Sequence, residues 1–139
     1  MKLKVIFGIL ALPTALAISC QSNESLDFTR YYAQGRIIYQ IHCQNCHDAS
    51  GKGLNGLIPP LTDSVYLKAN LHRLPCFVQN GVSEKITVAS AIFTGKMPAN
   101  SDLANIDVAE VLTYITNSFG NKLGMVNVET VNQDIQNCK

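Results

Sequence analysis

Five consecutive residues, Cys43, Gln44, Asn45, Cys46 and His47, constrain this chain more than anything else in it. Cys-x-x-Cys-His is the spacing of a c-type haem attachment site. Thiols three residues apart lie on one face of a helix, so both can reach the two vinyl groups of one porphyrin. The histidine that follows directly is placed to swing beneath the ring and ligate iron from one side. Blander readings of the same residues are a thioredoxin-like redox pair, half of a zinc site, or a structural disulfide. A redox pair does not require the trailing histidine, and a zinc site wants a second, similarly spaced pair that the sequence lacks.

With 139 residues the chain has room for one domain and a modest core, not a large enzyme scaffold. Formal net charge is +1. If Lys2 and Lys4 leave with a signal segment, nine basic side chains face ten acidic ones, a net charge of −1. That balance excludes nucleic acid as the expected partner, because phosphate binding is driven by clustered Lys and Arg.

Residues 1–19 read as a targeting segment rather than as part of the fold. Lys2 and Lys4 precede an apolar run over residues 5–18, broken by Pro13. Such a run is short for a membrane span, which needs about 20 residues, and suits a signal h-region. Its end, Leu16-Ala17-Ile18-Ser19-Cys20, resembles the bacterial lipoprotein cleavage box, with Ala17 where Leu is commoner. The resemblance implies a lipidated Cys20 that anchors the mature chain to a membrane surface; the alternative is a plain secretory signal. With Cys20 lipidated and Cys43 and Cys46 on haem, Cys76 and Cys138 remain. An exported protein meets conditions in which an even remainder pairs. A Cys76–Cys138 disulfide is the expectation, two free thiols the alternative.

Along the chain, residues 20–27 read as the anchor and a short polar tether, residues 28–122 as the domain and residues 123–139 as a C-terminal extension. Gly35, Tyr39 and Cys43 recur every four residues on one helical face, which Ile38 and Cys46 extend. Residues 48–61, with Gly51, Gly53, Gly56, Pro59 and Pro60, read as loop. Short helices are expected over residues 64–71, capped by Thr62 or Asp63, and 74–80, stopped by Gly81. Residues 83–93 are ambiguous between strand and helix, and the balance is placed on helix. Asn105 is expected to cap a last helix that runs to Phe119 with Asp107 in its first turn. The tail alternates weakly and is compatible with extended or irregular chain.

Iron with one histidine takes either a sixth ligand, for electron transfer, or an open site, for chemistry on a small molecule. Without residues 1–19 the chain has two methionines, Met97 and Met125. Met97 stands between Gly95 and Pro98, in a turn suited to presenting its thioether inward, and is the expected ligand. Met125 lies in the tail. His42 shares the helix of the motif and cannot easily reach the other haem face; His72 is a surface histidine or a distal ligand.

These elements together resemble one family, the class I cytochromes c, and within it the small bacterial monohaem domains. The likeness runs from Gly35, Tyr39, Cys43, Cys46 and His47 through Pro59-Pro60-Leu61 and Met97-Pro98 to the segment Ile106-Asp107-Val108-Ala109-Glu110-Val111-Leu112. It implies an all-α fold of three to five helices wrapped around one covalent haem c. The first and last helices would cross with Gly35 against the face of Val111 and Tyr114. It implies His47 and Met97 as axial ligands, the Pro59 carbonyl on His47 Nδ1, and Leu61 packed on the ring. Where many relatives carry Asn-Gly and then Tyr before the methionine, this chain has Ala89-Ser90 and Phe93. The function implied is that of an electron carrier rather than an enzyme. It would be exported, membrane-tethered through Cys20, and would serve a respiratory donor and a terminal reductase or oxidase. The alternative is a haem enzyme or the electron-entry subunit of an oxidoreductase, with an open or displaceable sixth position.

Overall fold

The structure is a computed structural model and describes residues 23–138. The expected signal segment over residues 1–19 and the lipidation site Cys20 lie outside the described residues. Six helical segments and one hairpin follow in order: α1 (Asn23–His42), α2 (Gln44–His47), α3 (Ser64–Ala69), α4 (Leu74–Asn80), β1 (Ile86–Val88), β2 (Ala91–Phe93), α5 (Asn105–Ile115) and α6 (Val128–Gln136). Among the described residues no helix is long and apolar enough to cross a membrane.

The frame is α1 against α5, the most extensive contact between two elements. Ile38 and Tyr39 of α1, with Cys43 just past its end, are buried on one side, and Val108, Val111, Leu112 and Ile115 bury the facing side of α5. Gly35 lets the two backbones touch: a β-carbon there would overlap the Glu110 carbonyl and press on Tyr114 Cβ at 3.0 Å. A ring ladder seals the same junction, with Tyr114 5.2 Å from Tyr32 and 5.3 Å from Tyr39, and Phe119 5.3 Å from Tyr39. Offset and tilted ring pairs at such spacings add attraction beyond their buried area.

Three sequence expectations are corrected. The helix starts at Asn23, so residues 23–27 are the first turns of α1 and not a tether. Glu24 complements the helix dipole, Thr29 Oγ1 donates to the Ser25 carbonyl at 2.8 Å, and the Phe28 ring stacks on Tyr32 at 6.0 Å. Residues 86–93 are an antiparallel hairpin with Val88 opposite Ala91, not a helix. Alternation decides it: Val88 and Phe93 are buried while Ile92, between them in the pairing pattern, is 55% exposed.

At α5 the cap is Ala104, whose N–H donates to the Asp107 carboxylate at 3.0 Å. Asn105 instead reaches across to Asn132 at 2.6 Å. The helix stops at Ile115, and the chain turns through Phe119 and Gly120, both at positive φ. The tail, which the sequence pattern left open, carries a helix. Asn127 Oδ1 accepts from Thr130 N–H at 2.9 Å and starts α6. Val126 and Val131 enter the common core, and the tail is fastened by paired hydrogen bonds between Thr113 Oγ1 and Val126. Cys76 of α4 and Cys138, just past α6, are joined as a disulfide with their Cα atoms 5.7 Å apart.

Candidate haem site

The last turn of α1 runs into α2 at Cys43, whose N–H donates to the Tyr39 carbonyl at 2.9 Å. One more turn carries Cys46 and His47, so the motif is helical, as its spacing requires. Cys43 is buried and Cys46 exposed, and both thiols are free. Burial, with the Cys46 sulfur adding to it, pushes the Cys43 thiol up to about 11. A dithiol redox centre needs the opposite, a thiol lowered into the neutral range. Among the described residues no group of three or more His, Cys, Asp or Glu side chains is placed to hold a metal ion.

His47 is 8% exposed. Its Nδ1 lies 3.2 Å from the Pro59 carbonyl. A carbonyl only accepts, so Nδ1 carries the proton and Nε2 keeps its lone pair. Burial lowers the imidazole's proton affinity, against a smaller opposite effect from the Pro59 carbonyl, and so favours the neutral ring. A neutral imidazole with one nitrogen donating to a carbonyl and the other free is the form that ligates a metal.

Loop residues 48–61 make this possible by folding back on the motif. Gly53 N–H donates to the His47 carbonyl at 3.0 Å and Leu61 N–H to the Gly51 carbonyl at 2.7 Å. Gly53, at φ +66°, lies where a β-carbon would collide with the Ile58 and Pro59 carbonyls. Tyr39 adds a tie from α1, its hydroxyl donating to the Asp48 carbonyl at 2.6 Å.

Cys43, Cys46, His47, Pro59, Leu61 and Met97 all line one cleft, which holds about 1040 Å³ of empty space counted out to its open mouth. Its remaining wall is mostly apolar and comes from elements far apart in sequence, including Leu67, Val78, Val88, Phe93, Leu112 and Ile115. Met97 enters on an extended segment paired with Val82, N–H to carbonyl in both directions, at 2.8 and 3.0 Å. His72 is on the outside, its side chain 74% exposed and paired with Asp134 at 3.1 Å. His42 and Met125 are exposed, and none of these three lines the cleft.

Sequence reading missed Asn121. It is 2% exposed and donates to the Leu61 and Ile115 carbonyls at 2.8 and 3.0 Å while accepting from Ser64 Oγ at 2.6 Å. One amide thus joins the loop that carries Leu61 to the end of α5 and the start of α3. Nothing in its sequence neighbourhood signals that.

Residues 31–115 match the family described as cytochrome c oxidase, cbb3-type, subunit III. The chain belongs to that family. It is a small c-type cytochrome, and cytochrome c-552 of Thermus thermophilus is similar to it, 28% identical over 92 residues that span 63% of this chain and 70% of the relative. For a c-type cytochrome the cofactor is covalently bound haem c and the activity is electron transfer. The cleft suits that cofactor on its own chemistry. Two thiols, a neutral buried imidazole with a free lone pair and a thioether meet in one apolar slot.

Proposed function

We propose that this cytochrome is a monohaem electron carrier with His47 and Met97 as axial ligands. Iron bound there would supply one-electron ferrous–ferric cycling, and no substrate bond would change. Cys43 and Cys46 would hold the porphyrin through thioethers, and Leu61 would pack against it. The Pro59 carbonyl would keep the His47 ring oriented and its Nε2 lone pair directed inward. A thioether ligand raises the potential and suits a carrier. The observation that carries the reading is that Met97, alone among the described methionines, lines the cleft that His47 lines, while His72 is engaged outside with Asp134.

The setting we infer is export by the segment over residues 1–19, tethering through a lipidated Cys20, and service between a respiratory donor and a terminal reductase or oxidase. The match to an oxidase subunit favours one variant of this reading, an electron-entry subunit held in a larger complex.

The oxidised protein is expected to show the weak far-red charge-transfer band of methionine sulfur on ferric iron. Met97→Ala should keep the covalent haem, lose the band, lower the potential and open the iron to carbon monoxide. An unchanged spectrum and potential in that variant would remove Met97 as ligand and bring an open sixth position forward.

A further inference from the structure

We propose that the Cys76–Cys138 disulfide is a thiol-exchange site, and that its opening by a dithiol loosens the segment that carries Met97. The proposal rests on Met97 as an iron ligand. Cys76 and Cys138 are half-buried and line a second, solvent-open groove of about 1270 Å³, with His72, Arg73 and Glu84 beside them. Phe77 and Val82 line both this groove and the haem cleft, so they form the partition between the two. A half-buried disulfide that lines an open groove admits an attacking thiolate, the first requirement for exchange.

The mechanical link runs through α4. Two residues beyond Cys76, the Val78 carbonyl accepts from Asn100 N–H at 3.0 Å. Five residues beyond it, Gly81 at φ +76° packs so closely that a β-carbon would lie 2.5 Å from the Met97 carbonyl and 2.9 Å from the Ala99 nitrogen. One residue later Val82 forms the reciprocal pair with Met97. The main chain around Met97 is therefore held by α4 and its exit, and α4 is held to the C-terminus by the disulfide. With the bond open, α4 keeps its buried Leu74, Pro75 and Val78, and its polar ties to α6 are the Cys76 sulfur 3.6 Å from the Asp134 carbonyl and, just before α4, the His72–Asp134 pair. With His72 74% exposed, that pair is screened by water and holds weakly.

In the exchange a thiolate of the dithiol attacks one sulfur, the Cys76–Cys138 bond breaks, and a mixed disulfide forms. The second thiol of the reagent then displaces the protein sulfur. Two electrons and two protons pass to Cys76 and Cys138, and the dithiol leaves as its own disulfide.

The test uses the full haem-loaded chain. It is treated with dithiothreitol without denaturant, capped with iodoacetamide, freed of reagents and reoxidised at the haem with ferricyanide. Two added alkyl groups by intact mass are expected. The far-red band should weaken against the uncapped protein, and carbon monoxide should bind the ferrous form about tenfold more readily, since apparent affinity follows the population of the open site. The variant carrying Cys76→Ser and Cys138→Ser should match the capped protein, with far-ultraviolet circular dichroism retained. No alkylation short of denaturation overturns the exchange site. Alkylation with an unchanged band and unchanged carbon monoxide binding overturns the link to Met97. A band missing from untreated protein and indifferent to Met97→Ala overturns the ligand reading, and the proposal with it.

Discussion

Asp63 shows what one carboxylate can hold. Its Oδ1 accepts from Val65 and Tyr66 N–H at 3.0 and 3.1 Å and starts α3, while Oδ2 accepts from Ala89 N–H at 2.9 Å and ties in the hairpin turn. The Tyr66 N–H first, then those of Ala89 and Val65, hold this carboxyl below the ordinary aspartate range, against a burial effect that raises it. A group depressed on folding stabilises the fold above its unfolded pKa, about 3.9, and loses that contribution as pH falls through the folded value. Asp63→Ala should therefore lower stability by about 1 kcal/mol at pH 7, with the gap closing in acid. Urea midpoints of both proteins at neutral and acid pH check this; a constant gap would mean that ionisation is irrelevant to the cap. The same residue was legible only in half. Its place before an apolar run marks it as a cap, but the bond to Ala89, 26 positions away, has no local sequence signal.

At the scale of elements the hairpin is where pattern misled. Val88, Ile92 and Phe93 fit a helical face, and the turn residues Ala89 and Ser90 lack the glycine that announces a two-residue hairpin turn. Both nevertheless take positive φ, 50° and 64°. Each such residue is strained by about 1–2 kcal/mol relative to glycine. The burial of Val88 and Phe93 in the cleft wall offsets that strain. Ala89→Asn with Ser90→Gly should stabilise the protein by about 1 kcal/mol, part of the relief being lost to the unfolded freedom of glycine. Chemical denaturation measures it, and an unchanged or lowered midpoint would show that the turn is not strained.

For the molecule as a whole, the tail proves to be part of the domain. Val131 is fully buried, Val126 nearly so, and Thr113 inside α5 is satisfied by Val126. Deleting residues 123–139 exposes that core, leaves the Thr113 hydroxyl without its partners and removes the disulfide. The loss should be about 5 kcal/mol or more, from two valine side chains and a long closed loop, a large part of the margin of a small domain. A truncated, haem-loaded protein melting with the full chain would overturn this. The family match ends at residue 115, so the tail's place in the core is read from the structure alone.

What the sequence determined by itself was which groups could act together: Cys43, Cys46 and His47 lie within five residues, and that spacing on a helix dictates which groups face one way. The α1–α5 crossing was implied by the family resemblance, and the Glu110 carbonyl packed against Gly35 is what establishes it. Tertiary structure alone decided what those groups face. Met97 lines the cleft because Val82 pairs with it, His72 does not because Asp134 engages it, and Leu61 is steadied by Asn121 from 60 positions away. Each of these is a contact between residues distant in the chain, and local pattern carries no information about such pairs until the core has brought them together.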